Sequence, residues 1–263
     1  MRPLSDFPES TRRDLRGVFL DIDDTLTSDG RLTAAAYTSL ECLQRSGKLV
    51  VPVTGRPAGW CDHMARMWPI DGIIGENGAF YFRYDNNARK MVRRYHMDNR
   101  TIEKNRGKIK LVGNQVLAAI PGAAIAADQR YRETDLAVDF REDVKQLSRS
   151  SVKNIVGMMN KAGMTTKVSS IHVNGWFGNY DKLTMVRRLL TEQFGIDIEA
   201  EKERFIFVGD SPNDQPAFAY FPNAVGVANV ADYSDELEFM PAYVTKARAG
   251  EGFSELIKFL LGD

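Results

Sequence analysis

The chain has 263 residues, 43% of them hydrophobic and 27% charged, which excludes a disordered chain and leaves ample length for a packed core. Its 35 Lys and Arg balance 35 Asp and Glu, so no net field recruits nucleic acid or an anionic membrane. Met1 to Arg16 lacks an apolar signal core, no apolar run approaches a membrane span, and Cys42 and Cys61 have neither metal spacing nor the number for a disulfide scaffold, so buried thiols and a reducing cytoplasm are expected.

The first predicted element is a buried strand at Gly17–Leu20 ("GVFL"), which runs straight into Asp21, Asp23 and Asp24. Three carboxylates within four positions repel one another unless a cation, a proton or solvent compensates them. Thr33 to Gly47 reads as a helix, with Thr33 as its N-cap and Gly47 closing it. "KLVVPV" (48–53) predicts a second buried strand, which ends in Thr54-Gly55-Arg56-Pro57. A helix over Ala58 to Trp68 and a third strand within "DGIIGENGA" (71–79) follow.

From residue 83 to 177 the texture changes. Residues 81 to 110 hold ten Lys or Arg against Asp85, Asp98 and Glu103, a pattern expected of a solvated surface. "RKMVRRYHM", "DLAVDF" and "TTKVSSIHVNGW" alternate as half-buried strands do, and a helix is expected around Arg141 to Ala162. Beyond the insert come a helix over Lys182 to Phe194, a strand in "RFIFVGD" (204–210), another in "NAVGVA" (223–228), and a helix over Phe253 to Leu261. Apolar strands alternating with helices predict an α/β fold, a parallel sheet covered on both faces. Its expected extent is residues 1–82 and 178–263, interrupted by an α+β insert at 83–177.

Each of three predicted strands leaves polar groups at its carboxyl end, where such sheets collect their sites. Two carboxylate clusters, Asp21-Ile22-Asp23 and Asp210 with Asp214, suit a hard divalent cation such as Mg²⁺. Thr54 and the backbone N–H groups near Gly55 suit an anion at a helix start that Pro57 favours, and Lys182 opens another helix as a positive point charge. A cation, an anion cradle, a lysine and a carboxylate nucleophile together describe phosphoryl transfer.

Blander readings exist for each part. Asp-x-Asp alone is a common solvated turn. A calcium loop is excluded because Leu26 and Leu32 stand where it needs glycine and glutamate. A nucleotide-sugar glycosyltransferase also uses Asp-x-Asp after a strand, but leaves "TGRP" and "GDSPND" without a role. A phosphoacceptor switch shares the strand-end aspartates and lysine but is about half this length. His63, His96 and His172 show no metal spacing.

"DIDDT", "TGR", a lysine opening a later helix and "GDSPND", in that order, resemble the four motifs of the haloacid dehalogenase-type phosphatases. The insert and "GENGA" (75–79) resemble the branch with a large α/β cap, which contains Cof-like hydrolases and sugar-phosphate phosphatases. The resemblance implies a Mg²⁺-dependent phosphatase of small phosphorylated metabolites, with a Rossmann-like core and a substrate-selecting cap at 83–177. It assigns Asp21 as nucleophile and Asp23 as general acid and base. Mg²⁺ would be held by Asp21, the Asp23 carbonyl and Asp210, with Asp214 in support. Thr54, Gly55 and Lys182 would bind the phosphoryl group, with Arg56 and Asn213 positioning groups around it. A phosphomutase of the same superfamily would use the same aspartates. Asp24 and Leu183 depart from the branch, which usually has glycine at both places. Nothing indicates an oligomeric state. In the cap, "KVSSIHVNGW" read as one strand puts Ser170, His172, Asn174 and Trp176 on one face, suited to holding a sugar. The competing expectation is plain surface with Trp176 packed against the hinge.

Overall fold

The computed structural model describes residues 1–262. The chain begins with β1 (Arg2–Pro3), α1 (Glu9–Asp14), β2 (Gly17–Leu20), α2 (Ala34–Arg45), β3 (Leu49–Pro52), α3 (Ala58–Met67) and β4 (Ile73–Gly75). A hairpin of β5 (Phe80–Asp85) and β6 (Lys90–Tyr95) extends β4 into a small antiparallel sheet. The insert then comprises α4 (Asn99–Ala119), β7 (Ala124–Ile125), β8 (Asp135–Asp139), α5 (Arg149–Lys161), β9 (Thr165–Val168) and β10 (His172–Trp176). The chain returns through α6 (Lys182–Leu189), α7 (Ile198–Glu201), β11 (Phe205–Gly209), α8 (Gln215–Tyr220), β12 (Val225–Gly226), β13 (Tyr243–Val244) and α9 (Ala249–Leu261).

Six strands form the core sheet in the order β1-β13-β12-β11-β2-β3, all neighbours parallel. The continuous apolar runs are explained by burial on both faces. Val18, Leu20, Ile206 and Val208 pack with Leu40, Leu43, Phe253 and Leu256 of α2 and α9. Phe19, Phe205 and Phe207 point the other way, against Met185 and Leu189 of α6 and Phe218 of α8. Register pairs Leu20 with Pro52 and with Val208, so the next residues of all three strands emerge at one edge.

The insert is a four-stranded antiparallel sheet, β7-β8-β10-β9, whose apolar face packs with Ile109, Val112 and Val116 of α4 and with Ile155 and Met159 of α5. Several sequence expectations change. "TTKVSSIHVNGW" is a hairpin, because the Ser169 side chain accepts from the His172 and Ile171 N–H groups and turns the chain. Ser170 therefore sits in the turn, and only His172, Asn174 and Trp176 share a strand face. The helix expected over Arg141 to Ala162 starts only at Arg149, since Asp139 accepts from the N–H groups of Arg141, Glu142 and Asp143 and holds them in a loop. The basic run conceals α4. The third strand is only Ile73–Gly75, followed by a tight turn. The boundary expected at 82/83 falls inside β5, so we propose that the insert's first independent element is α4. Cys61 is buried as expected, whereas Cys42 is exposed. Among the described residues no helix is long and apolar enough to cross a membrane.

Candidate active site

The shared strand edge assembles the acidic centre. Asp21, directly after β2, donates its N–H to Val208 of β11 at 2.9 Å. Asp210 follows β11 and accepts from Thr25 Oγ1 at 3.0 Å and Asn229 Nδ2 at 3.2 Å. Asp214 reaches back beneath it to accept from the Asp210 N–H at 3.1 Å. Residue 209 must be glycine for this, since a Cβ there would lie 2.4 Å from Asp214 Oδ2. Ligand oxygens of Asp21, Asp210 and Asp214 all lie within 4.8 Å of one another. Lys182 opens α6, where the Asp181 side chain caps the helix. Its Nζ stands 2.9 Å from Asp214 Oδ1 and 3.2 Å from Asp21 Oδ1.

Charge is not balanced there. Burial pushes the Asp21 carboxyl up to about 7, with Lys182 opposing and Asp214 and Asp23 reinforcing the rise. Burial and the neighbouring carboxylates push Asp210 well above the usual range. Burial also opposes the charge on Lys182, but Asp21 and Asp214 outweigh it and hold the ammonium. One ammonium against three buried carboxylates leaves a deficit that a divalent, oxygen-preferring cation fits. Asp24 adopts φ +55°, the left-handed region in which the resembling branch's glycine is favoured and aspartate is tolerated.

Thr54, fully buried after β3, accepts the Arg56 N–H at 3.0 Å and so tightens the turn carrying Gly55. Arg56 then forks onto Asp23, with Nε at 2.9 and 3.0 Å and Nη2 at 2.7 Å. The same guanidinium meets two carboxylates of the insert, Glu142 at 2.7 Å and Asp128 at 3.4 Å, and lies over the Trp60 ring. Arg132, with no exposed side-chain surface, binds Asp128 and Asp135 and donates to Gly55 O at 2.8 Å. Glu76 is also buried. Its carboxylate accepts from Ala58 N at the start of α3 and from Glu133 and Thr134 of the insert. The insert is thereby clamped onto the two loops that follow β3 and β4.

Asp21, Asp23, Arg56, His172, Asn174 and Asn213 line a cavity of ≈ 10 Å³, room for about one water. His172 Nε2 comes to 2.9 Å from Glu142 Oε2 without an aligned hydrogen bond. Burial opposes the Glu142 charge, but His172 and Arg56 hold its carboxyl down to about 2. Asn174 donates to Asp135 at 2.9 Å. Trp176 departs from this group. It is fully buried, stacks on Tyr180 with centroids 5.5 Å apart, and lines a second cavity beside Lys182. Asp21, Asp23, Lys182, Asp210, Asp214, Arg56, Asn213, His172 and Asn174 are thus brought together around Thr54 and Gly55. Asp128, Arg132, Asp135 and Glu142 were not singled out from sequence, where no motif marks them, and Glu76 was seen only as part of "GENGA", with no role given to it.

A family model described as haloacid dehalogenase-like hydrolase matches residues 18–169, more than half the chain. A phosphoglycolate phosphatase of Methanosarcina acetivorans is 26% identical over 251 residues, covering 93% of this chain and 96% of that protein. Among solved structures, the Thermoplasma acidophilum 0175 protein aligns over 94% of this chain and 98% of its own, with TM-score 0.70 and 18% identity. A haloacid dehalogenase subclass IIB sugar phosphatase shares the fold at TM-score 0.60 and 15% identity, over 92% of this chain and 98% of its own.

Proposed function

Because the chain belongs to the haloacid dehalogenase-like hydrolase family, we propose that it is a phosphatase of small phosphorylated metabolites working through an aspartyl-phosphate on Asp21. The observation that carries this is the buried Asp21–Asp210–Asp214 cluster bound by Lys182 at the strand edge, with Asp23 two residues beyond Asp21. Family membership also disfavours the glycosyltransferase and phosphoacceptor-switch alternatives.

An oxygen of Asp21 attacks phosphorus, and the bond from phosphorus to the leaving oxygen breaks as Asp23 gives that oxygen a proton. Water then attacks the phosphorus of the aspartyl-phosphate, Asp23 takes the water's proton, and Asp21 leaves as carboxylate. Lys182, the Thr54 hydroxyl and the Gly55 N–H face the phosphoryl oxygens, where fixed donors count most in a water-poor site. Arg56 holds Asp23 in place. Asp21, the Asp23 carbonyl and Asp210, with Asp214 in support, would hold Mg²⁺, which supplies Lewis-acid stabilisation of phosphoryl charge.

Exhaustive chelation is therefore expected to abolish phosphate release from an aryl phosphate, with Mg²⁺ restoring it. Asp210→Ala should raise the metal concentration needed or eliminate activity. The metal requirement should also rise as pH falls below about 7, because Asp21 must shed its proton to bind. Full activity in chelator would remove the metal from the account.

For the substrate, the Methanosarcina relative is named for phosphoglycolate and the structural neighbour for a sugar phosphate, both small polar phosphomonoesters. We propose a cytoplasmic metabolite of that kind, held by His172 and Asn174 from the insert. Replacing both by alanine should lower kcat/KM for the best metabolite about tenfold, roughly 1.4 kcal/mol, and lower it less for a small aryl phosphate. Screening phosphorylated metabolites for phosphate release identifies the substrate. Equal losses on both substrates would instead indicate defective closure.

A further inference from the structure

A strained turn joins β4 to β5. Glu76, Asn77 and Gly78 take φ +43°, +57° and +103° in succession, a conformation that non-glycine residues hold only where the surroundings enforce it. The enforcement comes from both halves of the phosphoryl site. Glu76 N–H donates to Arg56 O and Asn77 N–H to Thr54 O, each at 3.1 Å. On the other side, a Cβ at Gly78 would lie 2.0 Å from Asp181 O and 2.8 Å from Lys182 N, so only glycine fits against the start of α6. The turn spans the gap between Thr54 and Lys182.

The Asn77 amide nitrogen has no structural partner to explain it. The residue is 4% exposed, and Nδ2 has no acceptor. Its amide stands against Gly55, where a Cβ would meet Nδ2 at 3.3 Å, and it lines a cavity of ≈ 20 Å³ with Lys182 and Asn213. Trp176, whose Nε1–H is likewise buried without an acceptor, lines the same cavity. Buried donors left without acceptors are costly, and two on one cavity beside Lys182 suit a group that brings acceptor oxygens.

We propose that Asn77 is a catalytic residue whose Nδ2 donates to a phosphoryl oxygen held between Thr54 and Lys182. This rests on the phosphatase reading of the site. Hydrogen bonds to a charged acceptor predict a loss of roughly ten- to a hundredfold when the donor is removed.

Asn77→Gly separates side chain from backbone, because glycine accepts the left-handed conformation without strain. In Mg²⁺, its affinity for inorganic phosphate measured by calorimetry should fall about tenfold or more. Its kcat/KM on an aryl phosphate should fall with it, while the thermal midpoint stays level or rises. Asn77→Asp, which keeps the shape and the tolerance of this backbone but turns a carboxylate toward the phosphoryl oxygens, should lose more. Phosphate affinity within twofold of the parent in either variant would overturn the proposal, and if the glycine variant does not fold the aspartate variant decides alone. Phosphate binding and turnover distinguish the two claims. A parent that binds phosphate through Asn77 yet hydrolyses no ester would fail the phosphatase reading only.

Discussion

Asp21→Asn is expected to abolish turnover, with kcat falling by at least about 10⁴-fold, on the scale seen when a nucleophile is removed. The amide is a poor nucleophile, and it takes one charge from the set of oxygens suited to a divalent cation. Loss of fold is not the expected cause. Lys182 keeps its 2.9 Å contact with Asp214, and one of three mutually repelling buried carboxylates becomes neutral. The sign of the stability effect follows from the Asp21 pKa, raised from 3.8 to about 7 in the fold. Between those values the folded protein holds a proton that the unfolded chain releases, so in metal-free protein this group makes stability fall as pH rises. The variant should lack that component, and its metal-free thermal midpoint near pH 7.5 should equal or exceed the parent's. An inactive variant that melts far below the parent would point to a structural role. Residual activity above a few per cent would mean that another residue attacks phosphorus.

Asp23→Asn should lower kcat by roughly 10²- to 10⁴-fold, the usual range for removing a general acid. The loss should be largest for alkyl phosphates, whose leaving oxygen needs the proton, and should shrink for aryl phosphates. Arg56 complicates a simpler reading of this variant. The guanidinium holds Asp23 through three contacts of 2.7–3.0 Å, and a neutral amide weakens them. Misplacement of Arg56 would reduce both substrate types alike, whereas loss of the proton donor discriminates between them. Pre-steady-state release of the leaving group isolates the first chemical step, so a shared slow hydrolysis of the aspartyl-phosphate does not mask the difference. Equal losses in that step would count against the acid role.

The core strands were legible because two-sided burial demands uninterrupted apolar residues, and "GVFL", "KLVVPV" and "RFIFV" have little other explanation. Asp21, Thr54 and Asp210 were legible as a set because each directly follows or nearly follows such a strand. Helix α4 was not. Its buried residues, Ile102, Ile109, Val112 and Val116, are spaced on one face but diluted by Lys and Arg on the others. The β9–β10 turn carries no Gly, Pro or Asn, and its signal is one serine side chain folding back on the following backbone. Arg56 and Glu142 are 86 positions apart, and Glu76 and Thr134 are 58 apart. Single charged residues at such separations have no local pattern, so the clamp between core and insert emerges only from tertiary structure. Trp176 illustrates the limit of strand alternation. It shares a face with His172 and Asn174, yet four residues along β10 that face has passed from the Asp23–Arg56 cavity to the one beside Lys182.

The most direct test of the account is to stop the enzyme in acid during steady-state turnover in Mg²⁺, reduce with borohydride and map the peptides by mass spectrometry. An acyl phosphate on Asp21 is converted to homoserine, so homoserine is expected at position 21, formed only with substrate present and absent in Asp21→Asn. Homoserine at any other aspartate, or ongoing turnover with none at position 21, would contradict it.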